Sequence, residues 1–304
     1  MNRYNLILNT TTICNYNCSY CDVIKNNKKI KRKDLDNLIY FIEKNYKYIN
    51  RFKFFGGEPL LVFEDIKYII KNTKDFIGNK FEIVTNTSLL NDDIGEYFKQ
   101  YFEIIFLSID AENLFDYDKV FSFIKKFNLE EKVYFNLIII PGAENISYNQ
   151  FLNIYKKGYK NFNILPVYYT KIWDKKNLLD LTNKMKKILD QSLIDKTIKL
   201  YGFQDNSGYN KSLVNDSIFI DIDLNIYYSD FVTTKLGREI KEKLFLGSID
   251  NFSLSNSLDM SYQKEELIIF EESIVRKVKG QENLHRIMDY FSKYLNKKKG
   301  IIKD

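Results

Sequence analysis

The chain has very little of several residue types that shape other proteins: its 304 residues include three prolines, three cysteines, one histidine and one tryptophan. Scarce proline and the lack of any low-complexity tract leave no sign of a flexible linker. The length suits one large α/β domain or two modest ones. Three is an odd count, which excludes a disulfide framework as the general plan of a long, cysteine-poor chain. No apolar stretch approaches the ~20 residues a membrane helix needs. The opening MNRYNLILNT lacks the basic run and apolar length of a secretory signal. A cytoplasmic location is therefore expected, in a reduced compartment that also suits free thiolates.

An excess of one sign of charge is also lacking. The formal net charge is +6, and the lysines cluster in KNNKKIKRK (25–33) and KKK (297–299). Both runs read as solvated surface, or alternatively as attraction for an acidic partner such as a peptide or a phosphate-bearing substrate. No nucleic-acid reader motif accompanies them, so nucleic acid is not an expected partner.

What is present is concentrated. All three cysteines, Cys14, Cys18 and Cys21, stand together in CNYNCSYC, and none follows. Three thiolates at this spacing can hold three irons of a cubane cluster and leave the fourth open to a small molecule, whereas such clusters are ordinarily closed by four cysteines. Two simpler readings compete. Buried cysteines often serve as small hydrophobes, and steps of four and three would share a helical face. However, Asn15, Asn17 and Ser19 favour caps and turns over helix interiors. A structural zinc ordinarily needs four Cys or His ligands, and the one histidine, His285, is far along the chain in NLHRIMDYF.

Up to about residue 195, β-rich runs alternate with amphipathic stretches. Strands are predicted at 4–10, 51–55, 81–85, 103–109, 133–140 and 162–168, and helices at 32–46, from Phe63 to Ile70 and from Leu178 to Leu189. This alternation implies a parallel sheet with right-handed crossovers. Six such units predict an α/β fold, a partial (β/α)6 TIM barrel with its chemistry at the carboxyl ends of the strands. After residue 200 the texture changes to a strand pair in SIFIDIDLNIYYSDF (217–231), turning at Asp223–Asn225, then LFLGSIDNF (244–252) and two helical stretches. The expected division is a core domain at 1–195 and a small α+β extension at 196–304.

Notable residues gather where strands are expected to end. GGEPLL (56–61) follows the second strand. Gly56 and Gly57 let backbone approach a ligand closely, and the Glu58 carboxylate suits an ammonium group. Thr85 and Asn86 close the third strand in TNTSLL, Ser108 and Asp110 close the fourth in LSIDA, and Asn136 lies within the fifth. Hydroxyls, amides and a carboxylate in this register suit a ribose and an amino-acid moiety.

CNYNCSYC, GGEPLL, TNTSLL and LSIDA resemble the successive core motifs of radical S-adenosylmethionine (radical SAM) enzymes, in the subgroup that usually carries a SPASM or Twitch extension. The resemblance covers residues 4 to about 190. It implies one [4Fe–4S] cluster on Cys14, Cys18 and Cys21, with S-adenosyl-L-methionine on its open iron. Tyr20 would flank the adenine, Gly56, Gly57 and Glu58 would hold the amino group, and Ser108 and Asp110 would meet the carboxylate or ribose, with Asn136 a further candidate. It also implies reductive cleavage of SAM to a 5′-deoxyadenosyl radical that abstracts a hydrogen atom, and an electron donor such as flavodoxin or ferredoxin.

Two departures stand out. Many relatives carry an arginine for the SAM carboxylate after the fourth strand, but AENLFDYDKVFSF has none, and Lys119 is the only nearby stand-in. Ser229 stands roughly where an auxiliary-cluster cysteine would be, so a second thiolate-bound cluster is not expected. Redox-neutral chemistry, or oxidation with the electron returned to the one cluster, is then expected. The resemblance points to a peptide modified after translation, although a motif starting at residue 14 leaves no room ahead of it for a leader-binding domain. A small metabolite or sugar nucleotide is the alternative substrate. A degenerate, non-catalytic cluster- or zinc-binding module is the non-enzyme alternative.

Overall fold

A computed structural model describes residues 3–112, 115–201, 217–255 and 259–298. The terminal lysine run and the stretch following the fourth strand therefore fall partly outside the described residues. Ten strands occur among the described residues: β1 (Tyr4–Thr11), β2 (Ile49–Gly56), β3 (Phe81–Thr85), β4 (Phe102–Ile109), β5 (Val133–Ile139), β6 (Asn161–Pro166), β7 (Lys199–Tyr201), β8 (Ser217–Ile220), β9 (Asn225–Tyr227) and β10 (Phe245–Ser248). The helices are α1 (Leu35–Asn45), α2 (Phe63–Ile77), α3 (Asp92–Tyr101), α4 (Tyr117–Phe127), α5 (Glu144–Lys156), α6 (Lys175–Ile194), α7 (Ser261–Lys277) and α8 (Gln281–Lys298).

The strands form one sheet in the order β10-β9-β8-β1-β2-β3-β4-β5-β6-β7. From β8 to β7 every pairing is parallel, while β9 and β10 join antiparallel. This is the partial-barrel α/β fold, with a helical extension at its carboxyl end. The six strands expected from the sequence are all present, each within about two residues of its expected ends. Two parallel strands lie beyond those six. β7 is only three residues long, and β8 pairs antiparallel with β9 as expected but also parallel with β1. All four residues of β8 are buried, as in a strand covered on both faces. The sheet thus runs without a break across residue 195.

Alternation within the strands sorts the side chains. On β2, Phe52 and Phe54 are fully buried. Phe54 stacks on Phe81 at 5.9 Å, and Phe98 of α3 meets Phe102 edge-on at 5.0 Å. The intervening Arg51, Lys53 and Phe55 point to the opposite face, into the barrel. Helix starts are fixed by side-chain caps: Asn91 accepts from the Ile94 amide, Asp116 from Lys119, and Asp174 from Asn177. No helix among the described residues is long and apolar enough to cross a membrane.

Candidate active site

The cysteines lie on the loop that leaves β1. The end of β2 is pressed against the backbone just ahead of Cys14: Gly57 N donates to Thr11 O at 2.7 Å and Glu58 N to Ile13 O at 2.8 Å. A Cβ on Gly56 would overlap Thr11 O, and one on Gly57 would overlap Ile13 O. The close approach that the two glycines permit is therefore to the cysteine loop itself. The far side of the loop is held by the C-terminal region. Ile24 N donates to Thr233 O at 2.9 Å, Lys235 N donates to Asp22 O at 3.1 Å, and Val23 bridges to Thr234.

Glu58 is almost fully buried. Oε1 accepts from Leu60 N at 3.1 Å and Thr85 Oγ1 at 2.7 Å, and Oε2 accepts from Asn86 N at 2.8 Å. Burial pushes its carboxyl up, against these three donors. The carboxylate thus ties the end of β2 to the end of β3. Asn86 reaches on to the cysteine loop, its Nδ2 donating to Asn15 Oδ1 at 2.9 Å, while Asn15 Nδ2 donates to Ser88 Oγ at 2.8 Å.

The loop is also tied to β4. Tyr20 Oη donates to Asp110 Oδ2 at 2.7 Å, and Asp110 Oδ1 accepts from Glu112 N at 2.8 Å. Burial, then the Asp110 carboxylate, pushes the Tyr20 phenol far above its ordinary value, so it stays protonated. On β5, Asn136 Oδ1 accepts from Asn163 Nδ2 at 2.9 Å. Burial pushes the Cys21 thiol up, opposed by the Val23 backbone and Lys25.

One cavity of about 550 Å³ is lined by all twelve residues expected from the sequence. Cys14, Cys18, Cys21 and Tyr20 come from the loop, and Gly56, Gly57, Glu58, Thr85, Asn86, Ser108, Asp110 and Asn136 from neighbouring strands or their ends. Lys119 is not on its wall. It sits exposed in the first turn of α4, which Asp116 caps. Ser229 is buried and accepts from Phe231 N at 3.2 Å, capping the short 3₁₀ helix Asp230–Thr233.

The sequence reading missed the polar interior of the barrel. Arg51 Nη1 lies 2.8 Å from Glu82 Oε1, and Lys53 Nζ lies 3.2 Å from Glu82 Oε2. Burial pulls the Lys53 ammonium down, but Glu82 and its other neighbours leave it raised overall. Asp230 faces the same interior, its carboxyl pushed up by burial against the pull of Lys53. Barrel interiors are ordinarily filled by branched apolar side chains. The signal available was RFKFF itself, where charge alternates with phenylalanine on a predicted inner strand.

Three thiols, a polar strand-end wall and room for a nucleoside-sized molecule fit a cluster with SAM. Among the described residues no three His, Cys, Asp or Glu side chains converge on one metal-ion position. A cubane distributes its thiolates over separate irons, so convergence on one point is not what this donor set requires.

Comparison with known proteins agrees. The Radical SAM superfamily model matches residues 8–138. The chain is 36% identical over 115 residues to an "uncharacterized protein" of Methanocaldococcus jannaschii, covering 36% of this chain and 40% of that protein. It is 31% identical over 120 residues to the radical SAM cyclopropyl synthase TigE of Paramaledivibacter caminithermalis, covering 33% and 25%. To a GTP 3′,8-cyclase of Clostridium botulinum it is 30% identical over 172 residues, covering 50% and 52%. The chain thus spans between a quarter and about half of the length of these relatives. Among solved structures, anSMEcpe with bound AdoMet and Kp18Cys peptide superposes with a TM-score of 0.67 at 15% identity, over 89% of this chain and 83% of that one. Streptococcus suis SuiB bound to precursor peptide SuiA gives 0.61 at 15% identity, over 86% and 66%. At that identity the likeness concerns the fold. Over residues 8–138 this chain thus resembles the Radical SAM superfamily, an enzyme family that uses a [4Fe–4S] cluster and S-adenosyl-L-methionine.

Proposed function

We propose that this chain is a radical SAM enzyme that abstracts a hydrogen atom from a peptide and so modifies it after translation. The observation that carries the reading is the meeting of all twelve expected residues on one cavity wall. Cys14, Cys18 and Cys21 would hold the cluster, and an electron donor of the flavodoxin or ferredoxin class is the partner this reading implies. Bound there, the cluster and SAM would supply hydrogen-atom abstraction by the 5′-deoxyadenosyl group.

The protein's part is to bind, orient and seal. Gly56 and Gly57 shape the turn that receives the SAM amino group. Glu58, with both oxygens already accepting, fixes that turn to Thr85 and Asn86. Asp110 and Ser108 face the ribose or carboxylate, with Asn136 beside them, and Tyr20 flanks the adenine. Residues 196–304 act as a SPASM-like extension without an auxiliary cluster, since no cysteine follows Cys21. Within the extension, Ser217 and Asp230 reach the cavity of the 1–195 core.

The peptide reading is supported by the shared fold with two structures holding peptides, Kp18Cys and SuiA. A nucleotide is the second reading, favoured by Arg51 and Lys53 on the cavity wall and by identity to the GTP 3′,8-cyclases. The test is 5′-deoxyadenosine formation by anaerobically reconstituted protein with SAM and a strong reductant, against the triple Cys14→Ala, Cys18→Ala, Cys21→Ala variant. Product from the wild type alone supports the enzyme. A protein that binds neither cluster nor SAM sinks it. Stimulation of product by peptides encoded beside the gene, or instead by nucleotides, separates the two substrates.

A further inference from the structure

His285 lies outside the cavity wall, in a buried polar cluster on the C-terminal helices. Tyr169 Oη donates to Glu271 Oε1 of α7 at 2.7 Å and lies 3.2 Å from His285 Nε2 of α8. With the phenol proton committed to Glu271, His285 Nε2 is the donor to the phenol oxygen. The Tyr168 ring meets the imidazole edge-on at 5.1 Å. Tyr169 itself has φ +65, the left-handed region that an aromatic residue adopts only when its surroundings impose it.

The two residues after Tyr169 lie on the cysteine loop. Thr170 Oγ1 donates to Tyr20 O at 2.9 Å, and Lys171 Nζ donates to Ser19 Oγ at 2.9 Å. Ser19 and Tyr20 are the two residues between Cys18 and Cys21. On their other side they are tied to the end of β4, through Ser19 N to Glu112 Oε2 at 2.7 Å and through Tyr20 Oη to Asp110. The segment is also closed from behind. Trp173 N donates to Lys279 O at 3.2 Å and Gln281 Nε2 to Lys171 O at 3.1 Å, with Gly280 so close that a Cβ would overlap Trp173 O.

We infer that Tyr169 is a positioning residue for the cluster-binding loop. α7 and α8, through Glu271 and His285, hold it in the conformation that sets Thr170 and Lys171 against the segment from Cys18 to Cys21. The inference rests on the reading of the cysteines as cluster ligands. It gives the cysteine-free extension a task at the cluster: clamping the two residues that separate Cys18 from Cys21.

The test reads alkylation of each cysteine in the full-length, cluster-free chain by peptide mass mapping. It also reads the rate of iron loss to a chelator from the reconstituted protein, and the thermal midpoint. Tyr169→Phe is expected to speed alkylation at Cys18 and Cys21, but not at Cys14, by about three- to tenfold, the factor that one hydrogen bond of ordinary net worth carries. Iron loss should accelerate by a similar factor. Glu271→Gln keeps an acceptor for the phenol and should stay near the wild type, whereas Glu271→Ala should resemble Tyr169→Phe. Thr170→Val removes the link to Tyr20 without touching either helix and should give the same selective change, so it decides the matter if Tyr169→Phe does not fold. A lower midpoint with unchanged alkylation, or an equal rise at all three cysteines, overturns the inference. A wild type that takes up no cluster defeats the proposed function instead, and the alkylation pattern still reads loop positioning.

Discussion

Tyr20 and Asp110 stand ninety positions apart, yet the phenol donates to the carboxylate at 2.7 Å, fastening the cysteine loop to the carboxyl end of β4. The acceptor is a carboxylate oxygen and the donor a half-buried phenol, a pairing of the stronger kind. Tyr20→Phe is expected to destabilise the fold by about 1.5–3 kcal/mol. It should also weaken SAM binding to the reconstituted protein, read by calorimetry. Unchanged affinity alongside lowered stability would remove Tyr20 and Asp110 from the nucleoside site.

Glu82 neutralises two cations on the barrel wall, Arg51 and Lys53, and is itself only 2% exposed. Removing one partner of a buried ion pair strands the other, at a cost of about 3–5 kcal/mol. Glu82→Ala should lose that much in urea unfolding. The double variant Lys53→Met, Glu82→Met should recover a large part of it. If the nucleotide reading holds, Lys53→Met alone should abolish stimulation by nucleotides.

Gly57 has no room for a side chain, because a Cβ would meet the Ile13 carbonyl next to Cys14. Gly57→Ala is expected to cost about 1–3 kcal/mol through overpacking, and to lower cluster uptake because the displaced backbone carries the first cysteine. Iron content after reconstitution checks this. Gly142 has open space around it but a φ of +88, so Gly142→Ala strains the backbone away from the cysteines and should lower stability while leaving the iron content of the folded chain unchanged.

The Glu58 carboxyl has a raised folded value, caused by burial. The folded state therefore holds this proton to higher pH than the unfolded chain does. The contribution of Glu58 to stability then falls as pH rises through the window that begins near the ordinary carboxyl value of about 4.5. Glu58→Gln does not titrate there. The difference in unfolding free energy between wild type and variant should shift in the variant's favour as pH increases, and a constant difference would contradict the burial argument.

Iron and sulfide analysis should return about four of each per chain, the content of one [4Fe–4S] cluster. A value near eight would mean that ligands other than cysteine hold a second cluster in the extension.

The linear sequence determined the cofactor chemistry and most of the sheet, because both are written in local patterns. Thiol spacing in CNYNCSYC, strand alternation in FEIVT and EIIFLSI, and the turn in GGEPLL each depend on neighbours a few residues away. Which side chains share the cavity was legible only where a motif sat at a strand end. Arg51, Lys53 and Glu82 were visible as residues of strands, but their meeting was not, since which strands adjoin is set by pairing between distant segments. β7 escaped notice because three residues carry no period. The tertiary structure alone decided the rest: Glu58 spends its oxygens on the chain's own donors, β8 closes against β1, and α7 and α8 impose on Tyr169 a backbone conformation it would not adopt by itself. Each of these is a contact between segments far apart in the chain, whose geometry follows from packing the whole sheet and its helices together.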